Sequence, residues 1–389
     1  MGQKRITFPL EGFNVSGGIR IVIQVANALA AGGHRIRIVV PDYAAAPPFP
    51  LHDSITLVVQ PTRGRAPVVR KVWYVMTLCL TSTKDSDVCF ATGYRTPYYL
   101  CLSKWLRFSR ARLFYLVQHY EPWSHATRGS RLSRAILEYV AQLGYRLPLK
   151  TIAVSDWVRD MIGDPNTTVI GNGVDLGIFR PSKRGRAANE VFTVGTIAGA
   201  AAWKGYRVFL DALRELPAGV TKSMRALIAS AFVPVMPTGI SGEFITPSND
   251  NELVDFYRSC DVFVCSSFIE GFGLPALEAM ACGVPVITTS CGGASHYANE
   301  SNCLMVPPGD SKAIAAAIVR LRDNPTSRLV LRERGLETAE RHSLDQMSQE
   351  YVGLFLSPGC GEGGHGRTAL SQTQPNRRNV TGVGNSCGS

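Results

Sequence analysis

The sequence contains no hydrophobic run long enough to cross a bilayer. Its longest near-apolar stretch, Val72 to Leu80, spans about nine residues, half of the roughly 20 that a spanning helix needs. The opening MGQKRITFPL carries charge with no apolar segment behind it and does not read as a secretory signal. A myristoylation site is also excluded, because Ile6 stands where a Ser or Thr is required. The ten cysteines form no C-x-x-C pair, so the usual zinc and dithiol spacings are missing. They read as reduced, mostly apolar residues of a cytoplasmic protein. No G-x-G-x-x-G opens the helix after the first strand, which argues against a dinucleotide-dependent enzyme.

What is present is a globular composition, 45% hydrophobic, 18% charged and 9% aromatic, over 389 residues, a length that suggests two domains. The net charge of +11 is one-sided: residues 1–180 hold 22 Lys/Arg against 11 Asp/Glu, and the remainder balances. A basic half-protein attracts nucleic acid, anionic membrane or phosphorylated substrates, and charge alone does not choose among them. No nucleic-acid-binding motif accompanies it.

Strand-like runs (RITFPL, RIRIVV, ITLVV, DVCFA, RLFYLV, TIAVS, TTVIG) alternate with segments of helical period, the pattern of parallel sheets with crossover helices. Near Pro181 the pattern breaks into polar PSKRGRAANE and restarts at VFTVG. The expected organisation is a first α/β domain over 1–178, a second over 179–343, and a helix over 344–357 packing back on the first. Residues 358–389 hold eight glycines and few aliphatics and read as a disordered tail.

The most informative segment is SSFIEGFGLPALEAMACGVPV, Ser266 to Val286, which sets Glu270 and Glu278 eight positions apart around a Gly-Phe-Gly turn. A Gly-rich strand-to-helix turn presents backbone N–H groups at a positive helix end, a seat for phosphate. Glu278, one turn inside the helix, suits a vicinal diol such as ribose. Two surface carboxylates beside an ordinary helix start have the same spacing.

This segment resembles the E-x(7)-E signature of the retaining glycosyltransferases of family 4. The resemblance implies a GT-B type α/β fold, with two facing Rossmann-like domains, parallel sheets and an interdomain cleft. It places Glu270 on the transferred sugar, the amides of Gly271, Phe272, Gly273 and Leu274 on sugar and diphosphate, and Glu278 on the nucleotide ribose. NVSGGIR resembles the family's glycine loop, with Gly17 and Gly18 against the donor diphosphate. VQHYEP puts His119 where the family often has an active-site histidine, and WKGYR puts Lys204 against the leaving diphosphate. Most relatives carry an Arg a few residues before that Lys. Here none occurs between Phe192 and Lys204, and Arg207 is the nearest substitute.

The implied reaction moves a sugar, with retention, from a nucleoside-diphosphate sugar to a glycan or lipid-linked acceptor. No metal and no other cofactor is expected, since no Asp-x-Asp is placed to hold a cation. The missing Arg leaves open a catalytically weakened, nucleotide-sugar-binding subunit of the same fold, and an epimerase or phosphorylase-like enzyme shares the architecture. The expected partners are the donor, the acceptor and an anionic membrane surface, with no nucleic acid. For the membrane, a helix carrying Lys104, Trp105, Arg107, Phe108 and Arg110 is the expected contact on the inner face.

Overall fold

The computed structural model describes residues 3–14, 16–122, 130–182 and 191–354. Residues 183–190 of the linker expected over 181–190, the last residues (355–357) of the helix expected over 344–357, and the tail expected over 358–389 lie outside these residues.

The first sheet contains β1 (Arg5–Pro9), β2 (Arg35–Pro41), β3 (Thr56–Gln60), β4 (Val88–Ala91), β5 (Arg112–Val117), β6 (Lys150–Ala153) and β7 (Thr168–Val169). They run parallel in the order β3-β2-β1-β4-β5-β6-β7. The second sheet contains β8 (Phe192–Ala198), β9 (Met224–Ser230), β10 (Ser241–Ile245), β11 (Val262–Cys265), β12 (Val286–Thr289) and β13 (Leu304–Val306). Its parallel order is β10-β9-β8-β11-β12-β13. These are two Rossmann-like sheets, and each reverses its strand order beside its first strand, where such folds open their ligand crevice.

In the first half the helices are α1 (Gly17–Ala31), α2 (Pro67–Thr81), α3 (Thr96–Leu106), α4 (Arg131–Gly144) and α5 (Asp156–Ile162). In the second they are α6 (Tyr206–Arg214), α7 (Ala218–Thr221), α8 (Asp250–Arg258), α9 (Leu274–Ala281), α10 (Ser311–Asp323), α11 (Pro325–Arg341) and α12 (Leu344–Gly353). Side-chain caps define their starts: Ser16, Ser130, Ser155, Asn249, Asp310 and Ser343 each accept a hydrogen bond from an N–H of the first turn. In the first sheet the chain steps one way from β1 to β2 and the other way from β3 through β4 to β7. Right-handed crossovers therefore put α1 on one face and α2 to α5 on the other.

Strands buried on both faces explain their continuous Val/Ile/Phe runs. In the first sheet Phe8, Phe90 and Phe114 stack across β1, β4 and β5 at 4.8 and 5.2 Å. One apolar cluster runs from this core through Phe179, Phe256, Tyr257 and Phe272 to one face of the second sheet, and another covers the opposite face.

The chain crosses between the sheets twice, side by side. Val174 N–H donates to the His342 carbonyl (3.0 Å), Leu344 N–H returns to the Val174 carbonyl (2.8 Å), and Val174 bridges Ser343. From there α12 runs back against α1, where Val352 approaches Gly32. A Cβ on Gly173 would stand 2.5 Å from the Ser343 carbonyl oxygen, which leaves no room for any side chain at this crossing.

One expected helix is shorter than its sequence suggests. α3 stops at Leu106: Ser109 N–H bonds the Lys104 carbonyl and Phe108 N–H the Trp105 carbonyl, a Schellman closure with Phe108 at φ +48°. Arg107 and Phe108 therefore form the turn, and Arg110 lies beyond it. A non-glycine residue in this conformation is uncommon.

Gly173→Ala should lower the unfolding free energy by about 1–3 kcal/mol through overpacking at the crossing. Urea denaturation followed by circular dichroism checks this, and an unchanged midpoint would contradict it.

Candidate active site

Every predicted site residue is positioned by the C-terminal end of a parallel strand, and both sheets point these ends at one cleft. The loop after β1 leads through the Ser16 cap to Gly17 and Gly18. β5 ends at Gln118 and His119, β8 leads to Lys204, β11 leads to Glu270, and β12 leads to Gly292 and Gly293.

Glycines let the loops meet main chain to main chain. A Cβ on Gly271 would sit 1.9 Å from the Gln118 carbonyl oxygen and 3.1 Å from the His119 Cα. A Cβ on Gly293 would sit 1.9 Å from the Gly271 carbonyl oxygen, and one on Gly292 would strike Trp157 at 2.5 Å. The Gly271 carbonyl also accepts the Ser155 hydroxyl at 2.7 Å. His119 thus abuts the Gly271 turn, and its own residue is exposed. Gly18 lies near the Gln118 side chain, whose oxygen would be 3.3 Å from a Cβ there.

Lys204 and Glu270 form the centre. The Lys204 ammonium donates to both Glu270 oxygens at 2.8 and 2.9 Å, and the Ser267 hydroxyl donates to Oε1 at 2.7 Å. The lysine ends a tight turn tied to the β11 loop by Phe268 N–H on the Trp203 carbonyl (2.7 Å) and the Ser266 hydroxyl on the Gly205 carbonyl (2.9 Å). Its stem passes Gly199, where a Cβ would come within 2.7 Å of it. Burial disfavours the ammonium, but the Glu270 carboxylate more than offsets this and holds the lysine above its ordinary value.

Phe272 is buried against His296, Tyr297 and His342, with ring centroids 5.2–6.3 Å away. Gly273 takes φ +90° to turn the chain into α9 at Leu274, and its carbonyl accepts the Tyr297 hydroxyl. Glu278, on the second turn of α9, is also buried. One oxygen accepts the Tyr257 hydroxyl at 2.8 Å, and the other lies 3.5 Å from the Arg20 guanidinium. Burial raises the Glu278 carboxyl, opposed by Arg20 and Tyr257.

Two residues escaped the sequence reading. Arg20 crosses the cleft from α1, a tertiary contact that no local pattern announces. Glu121 lies in the same VQHYEP segment as His119 but is 4% exposed, its N–H donates to the Tyr145 hydroxyl at 3.0 Å, and burial pushes its carboxyl to about 8. The run HYEP was its only signal. Arg207, the nearest substitute for the missing Arg, is exposed on α6. A separate hollow of about 400 Å³ beside β9, β10 and α8, lined by Arg225, Glu243 and Asp255 among others, includes none of these cleft residues.

Family models match both halves: Glycosyltransferase Family 4 over residues 15–177 and Glycosyl transferases group 1 over residues 188–324. The chain belongs to the group 1, family 4 glycosyltransferases. It is 30% identical over 215 residues to D-inositol 3-phosphate glycosyltransferase 2 of Catenulispora acidiphila, covering 48% of this chain and 50% of that one. It is 29% identical over 227 residues to the MMP alpha-(1->4)-mannosyltransferase of Mycolicibacterium hassiacum, covering 55% and 54%. The chain thus spans about half the length of these curated relatives. In fold it is similar to Anabaena Alr3699/HepE, solved with UDP-glucose (TM-score 0.70, 17% identity, 91% of this chain and 100% of that one). It is likewise similar to sucrose-phosphate synthase of Thermosynechococcus elongatus (TM-score 0.75, 18%, 91% and 98%). Both are structures of the GT-B architecture expected from the sequence.

Glu121 gives this glycosyltransferase a pH signature. A carboxyl raised from 4.5 to about 8 on folding holds its proton more tightly folded than unfolded. Its contribution to stability is therefore complete below about pH 4.5 and is lost as pH rises toward about 8. Thermal melts from pH 5 to 9 should fall more steeply for the wild type than for Glu121→Gln, and parallel curves would contradict the assignment.

Proposed function

We propose that this glycosyltransferase moves a sugar from a nucleoside-diphosphate sugar to a glycan or lipid-linked acceptor with retention at the anomeric carbon. The observation that carries this reading is the Lys204–Glu270 pair, held bidentate on the Gly271 turn, with Glu278 eight residues on, in the second turn of α9. Glu270 holds the transferred sugar, Lys204 meets the charge that develops on the departing diphosphate, and Glu278 takes the ribose diol. The first-turn amides of α1 at Gly17 and Gly18 and the Gly271–Leu274 turn seat the phosphates. The leaving phosphate accepts the acceptor proton on the same face, so no enzyme nucleophile is needed, and His119 orients the sugar. The UDP-glucose complex of the Anabaena protein of like fold is consistent with a sugar-nucleotide donor here.

No step requires a metal. The Asp85-Ser86-Asp87 triplet lies before β4, at the strand ends away from the cleft, with Asp87 engaged by Arg5 at 3.0 Å. The absence of an Arg between Phe192 and Lys204 favours a second reading, a subunit that binds the donor but transfers slowly or not at all. Thermal shift and diphosphate release across UDP-, GDP- and dTDP-sugars separates the two. The enzyme reading expects one nucleotide class to stabilise the protein and be turned over. Glu270→Ala and Lys204→Ala should then cost about 100- to 1000-fold in rate. Binding with no turnover on supplied lipid-linked acceptors selects the subunit.

The acceptor side of this reading is an anionic membrane surface met by the outer layer of α2, α3 and α4. α3 packs on α2 and reaches α4 through the Tyr98 hydroxyl on the Val140 carbonyl. All three turn apolar stripes outward: Val68, Val72 and Met76 on α2, Leu102 and Trp105 on α3, Leu132, Ile136 and Tyr139 on α4, and Phe108 at 91% exposure. Among the described residues no helix is long and apolar enough to cross a membrane. Apolar side chains among Lys71, Lys104, Arg107, Arg110 and Arg134 suit a surface of anionic headgroups. The wild type should sediment with phosphatidylglycerol-containing vesicles, and Trp105→Ser/Phe108→Ser should weaken this about tenfold or more; equal binding by both would remove the assignment.

A further inference from the structure

Arg20 lies two residues after Gly18 on the first turn of α1, and its side chain is only 15% exposed. It leaves its own sheet and reaches the opposite wall of the cleft. Nη2 meets Asp250 Oδ1 at 2.5 Å at the start of α8, and Nη1 lies 3.5 Å from Glu278 Oε1. The guanidinium is packed over Phe49, 4.9 Å from the ring centroid, with Phe179 at 6.0 Å. The other Glu278 oxygen holds the Tyr257 hydroxyl at 2.8 Å. Both oxygens of the carboxylate assigned to the ribose are therefore engaged, one by a neutral donor of its own half and one by a cation from across the cleft.

The contact has the character of an exchangeable one. At 3.5 Å the Arg20–Glu278 pair is at the long end of a hydrogen bond, whereas the Asp250 pair is short and survives if Glu278 is taken by another ligand. The same helical turn carries the Gly17 and Gly18 amides, so a diphosphate seated there is within reach of an arginine side chain. On the other wall Lys204 is already committed to Glu270, and no arginine stands between Phe192 and Lys204. Arg20 supplies a planar, five-donor cation where two phosphates require one.

We propose that Arg20 is a donor-exchanged cation: it occupies Glu278 in the empty cleft and moves onto the diphosphate when the ribose diol takes Glu278, keeping Asp250 throughout. This rests on the reading of Glu278 as the ribose ligand. Two consequences follow for affinity. A nucleoside must displace Arg20 from Glu278 and gains nothing from the released guanidinium. A nucleoside diphosphate recovers that cost through charge-assisted hydrogen bonds. The phosphates therefore carry an unusually large share of donor affinity.

Isothermal titration calorimetry with uridine and UDP, and with guanosine and GDP, tests the exchange in wild type, Arg20→Ala and Arg20→Lys. For the pair that binds, Arg20→Ala should hold the nucleoside as tightly as wild type or more so. It should lose about tenfold or more in diphosphate affinity, the range of a hydrogen bond to a charged group, and Arg20→Lys should fall between. Equal losses for nucleoside and diphosphate would make Arg20 a strut between the walls and overturn the proposal, as would unchanged affinities. Glu278→Gln, titrated with the ribonucleotide and its 2′,3′-dideoxy analogue, tests the underlying reading. If the variant discriminates the two as well as wild type does, the ribose assignment fails and the exchange fails with it. If that discrimination is lost while the Arg20→Ala ratio stays at the wild-type value, only the exchange is overturned.

Discussion

The structure depends on backbone meeting backbone at Gly271. Three separate pieces of chain converge on it: the end of β5 through the Gln118 carbonyl, the start of α5 through Ser155, and the loop after β12 through Gly293. A single methyl group at Gly271 or Gly293 would stand 1.9 Å from a carbonyl oxygen, a separation no relaxation of a side chain can relieve. These contacts fix the main chain of Glu270 on both sides, with its N–H on the Cys291 carbonyl and its carbonyl under the Gly293 N–H, both at 2.9 Å. The carboxylate that faces Lys204 is therefore carried on a hydrogen-bonded main chain and held at its tip by the Ser267 hydroxyl and the Lys204 ammonium. Such placement keeps the charges of a cleft in register before any ligand arrives, and electrostatic catalysis requires this.

Charge is distributed over the cleft with the same economy of position. Two carboxylates, Glu270 and Glu278, lie buried on one wall, and each is met by a cation: Lys204 from the same half, Arg20 from the other. Buried charge is tolerated only when paired, so each acid requires its base while the cleft is empty. A sugar donor brings hydroxyls that can replace a cation on a carboxylate and phosphates that can receive it. In the proposed reading, binding the donor is a change of partners among groups already present, and no new buried charge is left alone. The raised Glu278 carboxyl, and the Lys204 ammonium kept charged by Glu270, mark the same balance between burial and pairing.

Much of this was legible in the sequence, because parallel α/β folds announce themselves locally. Strands buried on both faces read as unbroken Val/Ile/Phe runs, and glycines mark the loops that must approach ligand or chain. The strand end, Gly-rich turn and helix start around Glu270 and Glu278 were legible locally, but their spacing fits two surface carboxylates equally well, and only the resemblance to the E-x(7)-E signature marked them as a site. Arg20 was not legible, since its partners Asp250 and Glu278 are more than 200 positions away in sequence and only the facing of two sheets unites them. Glu121 was not, since its burial depends on Tyr115 and Tyr145 closing around it. The helix ascribed to Lys104–Arg110 was too long, because its end is set by Phe108 adopting a conformation usually left to glycine. The outward apolar faces of α2 and α4 were also hidden, as helical period gives the stripe but not the side that the sheet covers.

The Lys204–Glu270 pair is proposed to support transfer on one face of the sugar. Proton NMR of the first product formed, before any mutarotation of by-products, reads this directly from the anomeric coupling of the newly linked sugar. An α-linked nucleotide donor that yields an α-linked product is the predicted result. A β-linked product would require attack from the opposite face, and it would contradict both the sugar-holding role of Glu270 and the proton-accepting role of the leaving phosphate.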